Sequence, residues 1–124
     1  MQKHQEVIKM IDRDCIFCKI AGGDIPSSTV YEDEQFRVLL DLSPATKGHA
    51  LILPKQHYAN IFEIDENVLR DLIVLAKKVA SAMKETLNCD GVNIVQNNGE
   101  AAGQTVFHFH MHIIPRYKDD GQVI

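Results

Sequence analysis

The sequence has no long apolar run, no secretory signal layout and no excess of basic residues. None of its apolar stretches approaches the ~18 residues that a membrane-spanning helix needs. Residues 1–6 lack the basic and then apolar order of a signal peptide. We therefore expect a cytoplasmic protein without a membrane partner. Thirteen basic and seventeen acidic residues give a net charge of −4, which argues against a nucleic-acid partner held by bulk positive charge.

Cysteine is scarce, and internal repeats and low-complexity segments are absent. There are three cysteines, an odd number that does not suit a disulfide framework in a chain without a secretion signal. The Cys15-x-x-Cys18 pair instead indicates metal binding or redox chemistry. A chain of 124 residues, 45% of them hydrophobic and 24% charged, has the size and composition of one globular domain. We expect a leader over residues 1–13 and a single domain over residues 14–124.

Local patterns predict an α+β fold. Apolar residues recur every three or four positions between residues 65 and 88, which is typical of a long amphipathic helix. Asp14 is expected to cap a short N-terminal helical segment that ends at Gly22 and Gly23. Alternating or β-rich runs predict five strands, which we place at residues 29–32, 36–41, 49–54, 92–97 and 107–113.

The last predicted strand alternates between apolar residues and histidine. Side chains on a strand point alternately to its two faces. One face is therefore expected to enter the core with Phe107, Phe109, Met111 and Ile113. The other face would carry His108, His110 and His112, spaced roughly 6.6 Å apart. Packing explains such a row poorly, whereas histidine rows bind metals or act as nucleophiles and acid–base groups.

The loop before this strand contains the tripeptide Gly103-Gln104-Thr105. Its small residues, exposed backbone N–H groups and hydroxyl are groups that can cradle a phosphate. The tripeptide alone would indicate an ordinary turn. It indicates a phosphate site only in combination with the three histidines.

Residues 103–114 resemble the signature of the histidine triad (HIT) family, in which His-x-His-x-His is followed by apolar residues. The likeness extends to residues 15–20, 41–44, 48–57 and 114–116, and so covers about a hundred residues. It implies a mainly antiparallel five-stranded sheet with one long helix, and a two-fold homodimer. It also implies a hydrolase or transferase that converts purine nucleoside phosphoramidates, or related AMP-derivatised phosphates, to the AMP- or GMP-type monophosphate without a catalytic cofactor.

The resemblance also assigns roles by position. His110 would be the nucleophile that becomes nucleotidylated, and His112 would donate hydrogen bonds to the phosphate. His49 matches a fourth active-site histidine, expected to bond to the nucleophile and fix its tautomer. Thr105 matches a small hydroxyl residue, expected to act in catalysis and to contact the nucleotide together with His110 and His112. Asp41 would bind the ribose. The remaining expected nucleotide contacts are Phe17, Ile20, Leu39, Leu40, Leu42, Asn97, Gly103 and Gln104.

Three other functions remain open at this stage. A diadenosine polyphosphate hydrolase would share the same triad, and a nucleotide-binding adaptor would keep the pocket with little turnover. The histidine row would alternatively form a catalytic metal centre.

The cysteine pair is ambiguous between a zinc site and a redox site. A thioredoxin-like site needs a buried strand before the motif, and the polar residues before Cys15 provide none. Zinc needs four tetrahedral ligands. Some bacterial HIT proteins combine such a pair with the histidine of a Pro-Lys-x-His segment and the first histidine of the triad, which are His57 and His108 here. The resemblance thus implies a structural zinc bound by Cys15, Cys18, His57 and His108.

Overall fold

The computed structural model describes residues 12–124. The expected leader over residues 1–13 therefore lies outside the described residues except for its last two positions. Within residues 12–124, two α-helices, α1 (Ile16–Ala21) and α2 (Glu66–Thr86), accompany a five-stranded sheet. The strands are β1 (Thr29–Glu32), β2 (Phe36–Leu40), β3 (Ala50–Pro54), β4 (Gly91–Val95) and β5 (Met111–Arg116), with a 3-10 turn at Glu100–Ala102 between the last two. This α+β architecture confirms the predicted fold class.

All strand pairs are antiparallel, in the order β1-β2-β3-β5-β4. Helix α2 packs across one face of this sheet because its apolar residues form a single stripe. The helix begins where the Asp65 side chain accepts hydrogen bonds from the backbone N–H groups of Asn67 and Val68. The cluster beneath it includes Phe36, Val38, Ile52, Leu72, Ala76, Phe109 and Ile113.

Helix α1 covers the opposite face of the sheet. Its Ala21 packs with Leu39, Leu51 and Leu53 in a second apolar cluster. Leu51 is the cross-strand partner of His112, and directly paired residues share a face. His112 therefore lies on the α1 side, away from the long helix, as the alternation predicted.

The last strand begins later than the sequence suggested. We expected it over residues 107–113, but β5 runs from Met111 to Arg116, and Phe107 is 51% exposed rather than in the core. The physical reason is a backbone contact, since the Phe109 N–H donates to the carbonyl of Tyr58 at 2.6 Å. The backbone of Phe109 therefore bonds to the segment after β3, and the chain bends at residues 106–108 before the strand begins.

The start of α1 also differs from expectation. Cys15, not Asp14, caps the helix, because its sulfur accepts the backbone N–H of Cys18 at 3.4 Å while Asp14 is exposed. Within residues 12–124, neither helix combines the length and the apolar character required to cross a bilayer.

Candidate active site and metal site

His110 is held so that one ring nitrogen is free. Its Nδ1 lies 2.7 Å from the backbone carbonyl oxygen of His108. A carbonyl only accepts hydrogen bonds, so Nδ1 carries the ring proton and donates it. Nε2 then keeps a lone pair. Burial lowers the pKa of His110, which is 9% exposed, although the His108 carbonyl and the Asp41 charge partly oppose the shift. The ring is therefore neutral near pH 7 and nucleophilic at Nε2.

A chain of hydrogen bonds also sets the proton on His112. The backbone N–H of Ala45 donates to Nδ1 of His49 at 3.0 Å, so the proton of a neutral His49 ring is on Nε2. That Nε2 lies 2.9 Å from Nδ1 of His112 and donates to it. The proton of His112 is consequently on Nε2. Burial, with repulsion from His110 and His49, lowers the pKa of His112 to about 4, while Asp41 raises it.

The two rings therefore offer complementary groups side by side. The ring centroids of His110 and His112 lie 5.1 Å apart. One ring has an unprotonated Nε2, and its neighbour has an Nε2–H donor. A phosphate placed between them would meet a nucleophile and a hydrogen-bond donor together, without a charged histidine.

The structure corrects the expected contact of His49. We expected it to bond to the nucleophile His110, but it bonds to His112, and the carbonyl of His108 sets the tautomer of His110. The reason is register: His49 precedes β3 directly, and His112 lies beside that end of the strand, opposite Leu51.

Asp41, His49 and His112 place three candidate metal ligands within 4.8 Å of one another. Oδ2 of Asp41 lies 3.5 Å from Nε2 of His49 and 4.0 Å from Nδ1 of His112. The Ala45 N–H, however, points at Nδ1 of His49, so the Nε2 that faces this cluster carries a proton and acts as a donor. This tautomer suits a hydrogen-bond relay and disfavours a catalytic metal centre here.

The buried side chain of Gln104 stabilises the loop before the histidines through hydrogen bonds. Gln104 is only 3% exposed and donates both amide hydrogens, to the carbonyls of Ala59 at 2.6 Å and Val106 at 3.1 Å. Its Oε1 accepts the N–H of Gly99. We expected Gln104 to contact the phosphate, but its amide donors are used within the protein. Gly103 needs its left-handed φ of +91° to end the 3-10 turn beside Asn97.

Thr105 is exposed in the same loop. It lines a depression of about 430 Å³ together with Cys15, His57 and Phe107. The structure thus places the expected hydroxyl residue in a depression with Cys15 and His57, two of the expected zinc ligands.

The expected nucleoside contacts divide between two places. Phe17 meets the His110 ring edge-on with centroids 5.0 Å apart, and both Phe17 and Ile20 pack against the cluster that contains Leu39. Leu42 is 90% exposed beside Asp41. Leu40 instead faces the other side of the sheet, in a groove with Leu75 and Met83 of α2. Strand alternation separates Leu40 from Leu39, so Leu40 is not part of the site.

Cys15, Cys18, His57 and His108 form a second cluster, in which one donor atom from each lies within 4.8 Å of all the others. Nδ1 of His108 lies 3.5 and 3.4 Å from the sulfurs of Cys15 and Cys18, and Nδ1 of His57 lies 3.3 Å from that of Cys18. Tetrahedral zinc with ordinary bond lengths places sulfur and nitrogen ligands about 3.6 Å apart.

The proton positions in this cluster also fit a metal. Nε2 of His108 donates to the carbonyl of Pro54 at 2.7 Å, so its Nδ1 presents a lone pair to the two sulfurs. Burial raises the pKa of the Cys18 thiol to about 11. A cation that replaces the thiol protons would neutralise the buried thiolates. These four residues therefore fit a structural zinc.

Some functional groups had no signal in the sequence. The Ala45 N–H and the carbonyls of Pro54 and His108 decide which nitrogen of each histidine carries its proton. Every residue has such backbone groups, so only the folded structure shows which ones act.

Comparison with known proteins identifies the family of this chain. The HIT domain family matches residues 22–119. Protein hit from Bacillus subtilis is 50% identical over 109 residues, which cover 87% of this chain and 75% of that protein. The crystal structure of a zinc-bound histidine triad family protein from Mycobacterium smegmatis has a TM-score of 0.85 and 39% identity, covering 90% of this chain and 81% of that chain.

A plant relative has a named activity. The Arabidopsis thaliana protein named adenylylsulfatase HINT3 is 39% identical over 110 residues, which cover 89% of this chain and 56% of that protein. The chain belongs to the HIT family. It is thereby similar to the nucleotide hydrolases and transferases of that family.

Proposed function

We propose that the protein hydrolyses purine nucleoside phosphoramidates, or related AMP-derivatised phosphates, through a nucleotidyl intermediate on His110. The observation that carries the proposal is the hydrogen bond from Nδ1 of His110 to the His108 carbonyl, which frees Nε2 for attack. An imidazole nitrogen is a competent nucleophile that divides one displacement into two easier steps.

In the first step, the Nε2 lone pair of His110 attacks the α-phosphorus. A bond forms between Nε2 and phosphorus, and the bond from phosphorus to the leaving nitrogen or oxygen breaks. The leaving group takes the bonding electron pair and a proton from solvent. The ring becomes positively charged, so the hydrogen bond from Nδ1 to the His108 carbonyl strengthens as the bond forms.

His112 assists by stabilising charge on the phosphate. Its Nε2–H is fixed by the relay through His49 and lies beside the nucleophile. Donors that are already oriented toward developing negative charge lower the barrier without reorganisation. In the second step, water attacks phosphorus and gives up one proton to solvent. The bond from phosphorus to Nε2 breaks, its electron pair returns to the His110 ring, and the nucleoside monophosphate leaves.

The nucleoside would bind on the α1 side of the sheet. Phe17 packs edge-on against His110. The partly buried Phe17 and Ile20 provide apolar surface over the buried Leu39, and Leu42 beside Asp41 offers exposed apolar area. Asp41 keeps one carboxylate oxygen toward the histidines, while the other accepts the N–H of Ser43. A carboxylate at this place suits the two ribose hydroxyls. Asn97, Gly103 and Thr105 remain candidates for phosphate contacts.

Parallel assays test the substrate class. An adenosine phosphoramidate, adenylyl sulfate and a diadenosine polyphosphate are compared at equal concentrations with the wild type and with His110→Asn. The plant relative named adenylylsulfatase makes adenylyl sulfate the second candidate substrate. We expect the highest kcat/KM with the phosphoramidate and loss of turnover in the variant. A large preference for the polyphosphate would contradict the substrate, and unchanged activity of His110→Asn would contradict the mechanism.

We also propose that Cys15, Cys18, His57 and His108 hold a structural zinc. The donor geometry above supports this set, and the zinc-bound mycobacterial structure is similar over 90% of this chain. Metal analysis should find one zinc per chain in the wild type and in His110→Asn, but not in Cys15→Ser. Zinc lost from His110→Asn and kept by Cys15→Ser would place the metal elsewhere.

A homodimer is proposed through β4. This strand ends the sheet formed by residues 12–124, and Ile94 on it is 46% exposed. Ile73 of α2, 48% exposed, lines the same groove of about 430 Å³. An antiparallel pair of such edges is self-complementary about a two-fold axis. Sedimentation should give a dimer that Ile94→Lys dissociates, whereas a monomeric wild type at high concentration would refute it.

A further inference from the structure

We infer that the cysteine–histidine metal site orients the nucleophile, with His108 as the positioning residue that connects the two. This inference rests on the proposed function only in taking His110 as the nucleophile. The site would then act on the reaction rate as well as on stability.

His108 connects the metal site to the nucleophile through its two ring nitrogens and its backbone carbonyl. The His108 side chain is fully buried. Its Nε2 donates to the Pro54 carbonyl at 2.7 Å, and its Nδ1 lies 3.4 and 3.5 Å from the two cysteine sulfurs. Its backbone carbonyl accepts the Nδ1–H of His110 at 2.7 Å. A metal ion that fixes the His108 ring therefore also fixes the carbonyl that sets the tautomer of His110.

Helix α1 supplies a second connection. Cys15 caps this helix, and Cys18 is buried in its first turn. Phe17 stands between them and packs edge-on against the His110 ring, with centroids 5.0 Å apart and an interplanar angle of 85°. Two metal ligands thus hold the segment whose aromatic side chain limits rotation of the nucleophile.

Loss of the metal would loosen both connections together. The His108 ring would no longer be fixed at Nδ1, and its carbonyl would lose its set direction toward His110. The Nδ1–H form of His110 would then mix with the Nε2–H form, in which the nucleophilic lone pair is absent. A misplaced reacting group costs up to about a hundredfold in rate. We expect kcat to fall about 10- to 100-fold.

The experiment combines a spectroscopic readout with kinetics. Zinc is removed in two ways, by the ligand substitution His57→Asn and by chelation of the wild type below its melting temperature. Ring ¹⁵N NMR then reports which nitrogen of His110 carries the proton. Met83→Ala is the matched control, because Met83 is a buried residue of α2, which packs on the opposite face of the sheet. It is compared with the zinc-free proteins at equal loss of Tm.

The positioning role predicts a single Nδ1–H form of His110 with zinc present, a mixture without it, and a fall in kcat that Met83→Ala does not reproduce. Zinc-free protein with an unchanged His110 tautomer and the kcat of Met83→Ala would overturn the inference. A zinc-loaded protein that shows the single tautomer, changes it on chelation and turns over no nucleotide would support the positioning role. That last result would refute the proposed function instead.

Discussion

Nε2 of His49 lies 2.9 Å from Nδ1 of His112, and this contact decides which nitrogen of His112 faces a substrate. The Ala45 N–H donates to Nδ1 of His49, so the ring proton of His49 is on Nε2 and is donated to His112. His112 consequently presents Nε2–H while neutral. The site obtains a phosphate donor beside the nucleophile without the cost of burying an imidazolium.

Substitution of His49 should slow the reaction through His112. In His49→Ala, Nδ1 of His112 loses its donor and the ring is free to hold its proton on either nitrogen. We expect kcat to fall about 100-fold, which is in the range for loss of one oriented donor. His49→Gln should restore part of the rate, because its side-chain amide can donate to Nδ1.

The control for this effect is the His110 ring. Its ¹⁵N shifts should stay unchanged in both His49 variants, since His110 takes its tautomer from the His108 carbonyl. A loss of rate as large in His49→Gln as in His49→Ala, or a changed His110 tautomer, would disprove the assignment of His49 to His112.

His112 should titrate well below an ordinary histidine. Burial and the neighbouring rings lower its pKa to about 4 in the folded protein, against about 6.5 when unfolded. The unfolded state therefore binds more protons between these pH values. The contribution of His112 to the free energy of unfolding is therefore largest above pH 6.5. It falls by roughly 3 kcal/mol as the pH drops toward 4.

NMR titration of His112 and urea unfolding at several pH values measure the two quantities separately. His49 and His110 shift in the same direction, also through burial, so the total loss on acidification should exceed the share of His112. A His112 pKa near 6.5, or a free energy of unfolding that does not change between pH 6.5 and 4, would contradict the burial that we assign to this site.

Substitution of Gln104 should mainly lower the free energy of unfolding rather than change the chemical step. Gln104→Ala leaves the partly buried carbonyls of Ala59 and Val106 without their donor, at a cost of about 1–3 kcal/mol. The exposed Gln35→Ala, which loses one hydrogen bond to Asp71, should cost about 0.5 kcal/mol or less. Chemical denaturation compares the two. Equal costs would show that the amide does not hold the loop.

The sequence predicted the elements with strong periodicity. Helix α2 and the alternation of Met111 and Ile113 with the histidines are set by apolar spacing, and the structure has both. The alternation predicts Phe107 in the core, but the backbone bends at residues 106–108, and Phe109 bonds to Tyr58, which is distant in sequence. Backbone hydrogen bonds between distant segments leave no pattern of side chains in the sequence from which they could be predicted.

The candidate site was predicted as a set of residues but not as a network. The four metal-site residues meet as expected, because their side chains carry the chemistry. The partner of His49 and the location of Leu40 depend on strand register, and the Ala45 amide has no distinguishing residue type. Roles that depend on backbone donors and on strand register can be assigned only from the folded structure.

Direct detection of the nucleotidyl intermediate tests the central claim most sharply. Wild-type protein is mixed with a purine nucleoside phosphoramidate, quenched during turnover and mapped by peptide mass spectrometry, with His110→Asn and His112→Asn alongside. We predict a nucleoside monophosphate on His110 in the wild type, a slower-forming adduct on the same residue in His112→Asn, and none in His110→Asn. An adduct on His112, or turnover by the wild type with no adduct on His110, would contradict the account.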